Sequence, residues 1–273
     1  MLAALDLRLY PKQDCELPHP CAHLVHGAML RLIRHDDEEM SHALHDSAQV
    51  KPFAISTMWP RTRARGEQMT IPKYTECRIR VCTAARPVFD AVSRPIFEIL
   101  ARSGSIELQG TPFHLMDARM EPPFGGAASF ESLLVDKGTE SVLRFMSPTT
   151  FRRQGLNVPL PDPGLVFGSL WQKWQAFSDA PVEQAVFDEM SAATALCRAR
   201  IVTRGWKYPR FMLIGFAGTV LYQLVKPVSA DARMLFGALS GLSFYTGVGY
   251  RTTMGMGQCR VLEEEPNQPA DHE

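Results

Sequence analysis

The chain predicts an α+β fold of two tandem units, each with the element order β-α-β-β-α-β, and a glycine-rich loop near the C-terminus. Three observations carry that prediction. Segments with period-two alternation recur between segments with helical spacing. The same order occurs twice along the 273 residues. A proline- and glycine-rich stretch, Glu121–Ser129, falls between the two occurrences.

In the first unit, Leu2–Tyr10 alternates Leu5, Leu7 and Leu9 with Asp6 and Arg8, which is a strand pattern. His19–Arg34 places Leu24, Met29, Leu32 and Ile33 at helical spacing, and Asp36–Asp46 reads as a second short helix. Its acidic start (Asp36, Asp37, Glu38, Glu39) suits the positive end of a helix dipole rather than a metal. Phe53–Trp59 and Glu76–Thr83 are strand-like. Arg86–Arg102 is a helix with Pro87 at its start and Gly104 beyond its end, and Pro95 predicts a kink or break inside it. Ile106–Leu115 closes the unit as one strand.

In the second unit, Ser141–Phe145 is a strand, Asp162–Phe177 and Pro181–Cys197 are helices, and Ala199–Val202 and Phe211–Leu224 are strands. Ala230–Phe244 is a helix and Gln258–Leu262 a final strand. Trp171 and Trp174 fall on the apolar face of their helix and read as core. The resulting division is an N-terminal domain 1–120, a linker 121–140, a C-terminal domain 141–262 and an acidic tail 263–273 expected to be disordered. Each domain has the ferredoxin-like order that RRM domains share.

Hydrophobic residues make up 45% of the chain, which suits a globular protein. No apolar run reaches the ~18 residues a bilayer requires, and Met1–Arg8 lacks the pattern of an export signal, so a cytoplasmic protein without a membrane partner is expected. The six cysteines include no C-x-x-C pair, and Cys15, Cys21, His23 and His26 read as buried thiols and ordinary histidines rather than a zinc site. No metal or cofactor is expected. Net charge is zero, but the tail holds five acidic residues, leaving 29 basic against 24 acidic residues in the body. Trp59–Arg80 has six basic residues against two acidic, and Cys197–Arg210 five against none. Such patches can hold a phosphate backbone.

The segment Gly247-Val248-Gly249-Tyr250-Arg251-Thr252-Thr253-Met254-Gly255-Met256-Gly257 packs four glycines into eleven residues. Glycines let backbone N–H groups approach a phosphate closely, and Arg and Thr add donors. A helix precedes the segment, a strand follows, and no Gly-Lys-Ser/Thr is present, so it is neither a dinucleotide fingerprint nor a Walker loop.

This segment, with Phe244-Tyr245-Thr246 before it, resembles the C-terminal glycine-rich loop of the CRISPR repeat-processing endoribonucleases of the RAMP superfamily. Arg144–Arg153, Pro159–Pro163 and Leu170–Phe177 resemble the start of that family's second domain, and Gly215-Phe216-Ala217-Gly218 its central strand pair. In the first half the likeness rests on Leu44-His45-Asp46 and Lys51–Ser56. The resemblance implies two tandem ferredoxin-like domains and metal-independent cleavage of CRISPR repeat RNA in the pre-crRNA. The ribose 2′-OH would attack, leaving a 2′,3′-cyclic phosphate and a 5′-OH.

Such a reaction needs a base, an acid and positive charge at the phosphate. Histidine suits either proton role, yet His23, His26, His35, His42 and His45 all lie close together, and spacing alone does not choose among them. The resemblance picks His45, with Lys51 as the supporting lysine. Leu30 stands where some relatives carry a tyrosine, so the third partner stays open between Arg31, Arg34 and the Arg61–Arg65 group. RNA contacts are expected from Arg61, Arg63, Arg65, Arg152, Arg153, Gly247, Gly249, Arg251, Thr252, Gly255 and Gly257, with Trp206 and Tyr208 available to stack a base. Other subunits of a CRISPR effector complex and a second copy of the chain are admissible partners. Two competing readings are a crRNA-binding RAMP subunit that does not cut, and a small-molecule enzyme of ferredoxin-like fold.

Overall fold

The computed structural model describes residues 1–46, 50–60 and 68–262. The first unit runs β1 (Leu2–Pro11), β2 (Cys15–Pro18), α1 (Ala22–Asp36), α2 (Glu38–Asp46), β3 (Phe53–Ile55), β4 (Trp59–Pro60), β5 (Gln68–Ile71), β6 (Cys77–Thr83), α3 (Arg86–Ala101), β7 (Ser105–Leu108) and β8 (Thr111–Arg119). Then come β9 (Gly126–Ala128) and α4 (Phe130–Leu133). The second unit runs β10 (Glu140–Thr149), β11 (Phe151–Arg153), β12 (Leu156–Val158), α5 (Pro163–Phe177), α6 (Gln184–Ala193), β13 (Thr194–Lys207), β14 (Met212–Leu224), α7 (Ala230–Thr246) and β15 (Cys259–Leu262).

The first sheet is ordered β3-β6-β1-β8-β7 and the second β13-β14-β10-β15. If the four principal strands of each unit are numbered in chain order, both sheets read 2-3-1-4, the ferredoxin-like topology. The fold class is therefore two tandem ferredoxin-like units with the glycine-rich segment before the last strand. Each unit has its own apolar core. Leu5, Leu7, Leu9, Ile79 and Val81 pack under α1 and α3, and Phe145, Phe216, Val220 and Tyr222 pack under α5 and α7. Trp171 and Trp174 are buried there as expected, their ring N–H groups donating to Gln184 Oε1 and the Ala180 carbonyl.

Several elements depart from the sequence expectation, each for a local reason. The strand expected over Phe53–Trp59 breaks after Ile55, because the Ser56 hydroxyl accepts from the Arg80 N–H and donates to Thr57 O, competing with the ladder. The single strand Ile106–Leu115 is instead a hairpin, β7–β8. Gln109 and Gly110 both have positive φ (51° and 78°), as a two-residue type I′ turn demands. The helix expected to reach Cys197 stops at Ala193, where the Thr194 hydroxyl donates to Met190 O. From Thr194 the chain pairs with β14 along all of β13, far beyond Ala199–Val202. α3 continues unbroken through Pro95, which is buried on its apolar face. Within the expected linker, β9 pairs with β1 and α4 carries a Ser129–Ser132 capping box.

The two units meet around Arg80, which is 1% exposed. Its guanidinium donates to Phe124 O, to Gln258 Oε1 at 3.1 Å and to Phe244 O, and lies over the Phe244 ring. Ala4, Ala54 and Cys82 pack beside it against Phe244 and Tyr245. This contact fixes the end of α7, and so the start of the glycine-rich loop, against the first sheet.

Candidate active site and RNA interface

A cleft of about 630 Å³ opens between the units. Val50 and Lys51 line one wall. Phe151, Arg152, the α5 face Gly164–Lys173 and the loop residues Gly249–Met254 line the other. The structure thus brings the predicted Lys51, Arg152, Gly249, Arg251 and Thr252 together from positions far apart in the chain.

His45 is not among the described residues that line the cleft; it is exposed in the last turn of α2, six residues before Lys51. The Lys51 ammonium donates to Leu44 O at 2.7 Å and His45 O at 3.4 Å. A cation on the last carbonyls of a helix opposes the negative end of its dipole and satisfies acceptors the helix leaves open. Lys51 therefore fixes the segment that presents His45. His26, one α1 turn before Leu30, lies near enough to feel the charges of His45, Lys51 and Arg251. Burial, with those positive neighbours, pushes its imidazole down to about 4, so it is neutral at pH 7. It stacks on Phe53 (5.9 Å, 10°) and bonds to the Thr253 backbone, which tethers α1 to the loop. His26 is the residue the sequence reading passed over. Its only signal was its place among five clustered histidines.

The other histidines and cations sit elsewhere. His42 and His35 are exposed, and His42 lies 3.9 Å from Glu38. Arg31 donates to Glu107 O of β7 and Arg34 lies by Glu38, so both are held away from the cleft lining. Asp37 Oδ1 accepts from Met40 N, in keeping with an acidic helix start. Arg61, Arg63, Arg65 and the acidic tail lie outside the described residues. Cys15 and Cys21 are buried thiols. Among the described residues no three His, Cys, Asp or Glu side chains gather as a metal site would require.

The second wall is a braced loop. Gly247, Gly249, Gly255 and Gly257 all have positive φ. A Cβ on Gly257 would sit 2.0 Å from Val248 O, and one on Gly249 2.5 Å from Thr150 O. The expectation that these glycines offer N–H groups to phosphate needs correction. Gly247 N donates to Ser243 O, Gly249 N to Ser169 Oγ and Gly257 N to Pro148 O. At these three positions the glycine serves the shape of the loop rather than offering an N–H to a ligand. Thr252 is itself buried, its methyl group close beside Gly247 and Gly257. Beneath the loop, the buried Lys173 donates to Thr246 O at 3.0 Å and Gly247 O at 2.8 Å. With no carboxylate to offset its burial, the ammonium is pushed down to about 7.

Arg251 leaves the loop in the left-handed region (φ 57°), and its guanidinium lies 4.8–5.7 Å from the ring centres of Phe211, Tyr250 and Tyr208. The Arg152 guanidinium lies 5.7 Å from the Tyr250 ring centre, while Arg153 is exposed on β11. Trp206 and Tyr208 do not stack a base. They are 7% and 4% exposed, and both donate to Met254 O at 3.2 Å. The tip of the β13–β14 hairpin therefore holds the loop and its arginine from outside.

The family model for the CRISPR-associated endoribonuclease Cas6 matches residues 143–259, which include this second wall. A CRISPR-associated endoribonuclease Cas6 of Mycobacterium tuberculosis (strain CDC 1551 / Oshkosh) is 30% identical over 127 residues, 46% of this chain and 40% of the relative. Another, from Streptococcus thermophilus, is 28% identical over 127 residues, 44% of this chain and 50% of the relative. The matched stretch thus spans half or less of these relatives. A solved Cas6 product complex superposes with a TM-score of 0.80 at 26% identity, covering 96% of this chain and 100% of that one. The family model, the related sequences and a solved structure whose fold is shared over nearly the whole chain all point the same way: this chain is similar to the CRISPR-associated endoribonucleases Cas6.

Proposed function

We propose that the chain is an endoribonuclease that cuts CRISPR repeat RNA once per repeat, without a metal, to release crRNA from its precursor. One observation carries the reading. Lys51 of the first unit and Arg152 and Arg251 of the second line one cleft, and the Lys51 ammonium is bonded to the carbonyl of His45, the neighbouring exposed histidine. The 2′-OH beside the scissile phosphate attacks it. His45, exposed at the end of α2, moves the proton. Lys51 fixes the His45 backbone and adds positive charge. Arg251 and Arg152 hold the phosphates, and the products are a 2′,3′-cyclic phosphate and a 5′-OH. The RNA-contacting set includes Arg153 and the Arg61–Arg65 segment. Residues 1–120 and 141–262 act as the two domains. No described helix is long and apolar enough to cross a membrane, and a cytoplasmic reaction is part of the proposal.

The test incubates the protein with repeat RNA in excess EDTA, beside a His45→Ala variant and an RNA carrying 2′-deoxyribose at the cut. The expected result is one cut in EDTA, lost with the deoxy substrate and slowed about 10²–10⁴-fold in the variant. Tight binding of the repeat with no cut by the wild type would make the chain a crRNA-holding subunit instead. Normal cutting by His45→Ala would remove His45 from the site.

A further inference from the structure

The open face of the second sheet carries a row of arginines that the cleft does not use. The strand register defines it. Arg200 of β13 lies opposite Thr219 of β14, Thr219 opposite Arg144 of β10, and Arg144 opposite Arg260 of β15. Directly opposed residues of an antiparallel pair project from the same face. Phe145 and Val220, next along their strands, are buried under the helices, so alternation sends the arginine row out of the other face. Arg144 and Arg200 are exposed, and Arg260 is half-buried. The row crosses three strand spacings, roughly 14 Å.

This arrangement works against the stability of the free protein. Like charges directly opposite each other repel, and Arg144 faces Arg260. Among the described residues none of the three arginines makes an ion pair. Arg144 Nη1 donates to the buried Thr219 hydroxyl at 3.0 Å, which holds its guanidinium flat over the sheet. Arg260 Nε is buried with no partner. The one acid that the register puts on this face, Glu140, takes the amide of Gln223 instead. An anion would relieve the repulsion and satisfy the open donors. The apolar residues that the register puts beside the row are Val142, Leu221, Leu262, Val202 and Ala217. It thus lacks the aromatic platform with which an RRM stacks bases.

We propose that this row is a second RNA site, which holds backbone phosphates of single-stranded RNA outside the segment cut in the cleft, without regard to base. The proposal rests on the RNA-processing reading above. It separates from that reading by its probe, a 20-nucleotide oligouridylate, whose binding does not depend on cutting. The variant combines Arg144→Gln, Arg200→Gln and Arg260→Gln, and its companion carries lysine at the same three positions. Fluorescence anisotropy across a salt series should show the glutamine variant binding about 10-fold more weakly or worse. Its plot of log affinity against log salt should be shallower by about 2, the value for three lost single-strand phosphate contacts. The lysine variant should keep the wild-type slope, and the glutamine variant should melt no lower than wild type once the repulsion is gone. Unchanged affinity and slope in a folded glutamine variant would overturn the proposal and leave the row to a protein partner. A wild type that binds oligouridylate but never cuts repeat RNA would end the nuclease reading and leave this site standing.

Discussion

The two walls of the cleft are built in opposite ways. The first holds Lys51, whose ammonium braces the last carbonyls of the nine-residue helix that carries the exposed His45. The second is a buried loop whose N–H groups at Gly247, Val248, Gly249, Tyr250, Met254, Met256 and Gly257 are all bonded internally. α5 supports it from below through Ser169 and Lys173, and the hairpin tip holds it from above through Trp206 and Tyr208. Under the proposed reaction the contrast separates two tasks. A group that exchanges protons with substrate must be reachable, whereas groups that fix a phosphate are most useful when they do not reorganise. The rigid wall should therefore respond to substitution through folding, and the exposed wall through chemistry.

The largest effect that would break this division is on the rigid wall. Gly257→Ala forces a Cβ to within 2.0 Å of the Val248 carbonyl in a backbone region that disfavours side chains. A loss of about 2–4 kcal/mol of stability is expected, read from urea unfolding. Gly155→Ala, also at positive φ but with open space around it, should lose only about 1 kcal/mol. Equal losses would mean that the loop adjusts easily and is not the fixed wall.

Next in size is the charge buried under that wall. The Lys173 ammonium is pushed down to about 7 from an ordinary value of 10.5, so above pH 7 the unfolded chain binds more protons than the folded one. Stability should rise with pH between 7 and 9, by up to about 1.4 kcal/mol per unit. Cys259, pushed up to about 12 by burial, opposes the trend above pH 9. Lys173→Met should flatten the 7–9 window. A slope that persists in the variant would assign the titration to another group.

The sequence disclosed the topology of both units because alternation and helical spacing survive in their core strands, as in Leu5-Leu7-Leu9. It missed what depends on single side chains or on pairing at a distance. Ser56 breaks a strand by capturing the Arg80 N–H, and Gln109-Gly110 turns a hairpin. β13 is drawn out to fourteen residues by a partner its own composition does not announce. Of the residues that line the cleft, Lys51 was legible through family likeness, and Arg152 and Arg251 as loop-borne cations. The meaning of the glycines was not, because a pattern of glycines does not say whether N–H groups face a ligand or the loop itself. Trp206 and Tyr208 looked like a stacking platform because their neighbours in sequence are basic. Their burial follows from Met254, nearly fifty residues away.

The smallest predicted effect tests the link between the walls. His26 joins α1 to the loop at Thr253 and is neutral at pH 7, its imidazole lowered to about 4 by burial. An unfolded chain restores the ordinary value of 6.5, so it takes up this proton over a pH range in which the folded protein does not. Stability from this residue is therefore complete above pH 6.5 and lost as pH falls toward 4, on the order of 2 kcal/mol across the window. Carboxylates titrate in the same range, so the quantity to follow is the difference between wild type and His26→Gln in urea midpoints from pH 7.5 to 4.5. That difference should shrink steadily as the pH falls, because glutamine has no proton to gain. A constant difference would mean that His26 contributes through its Phe53 stacking alone, and that the two walls are joined by packing rather than by the neutral state of a buried imidazole.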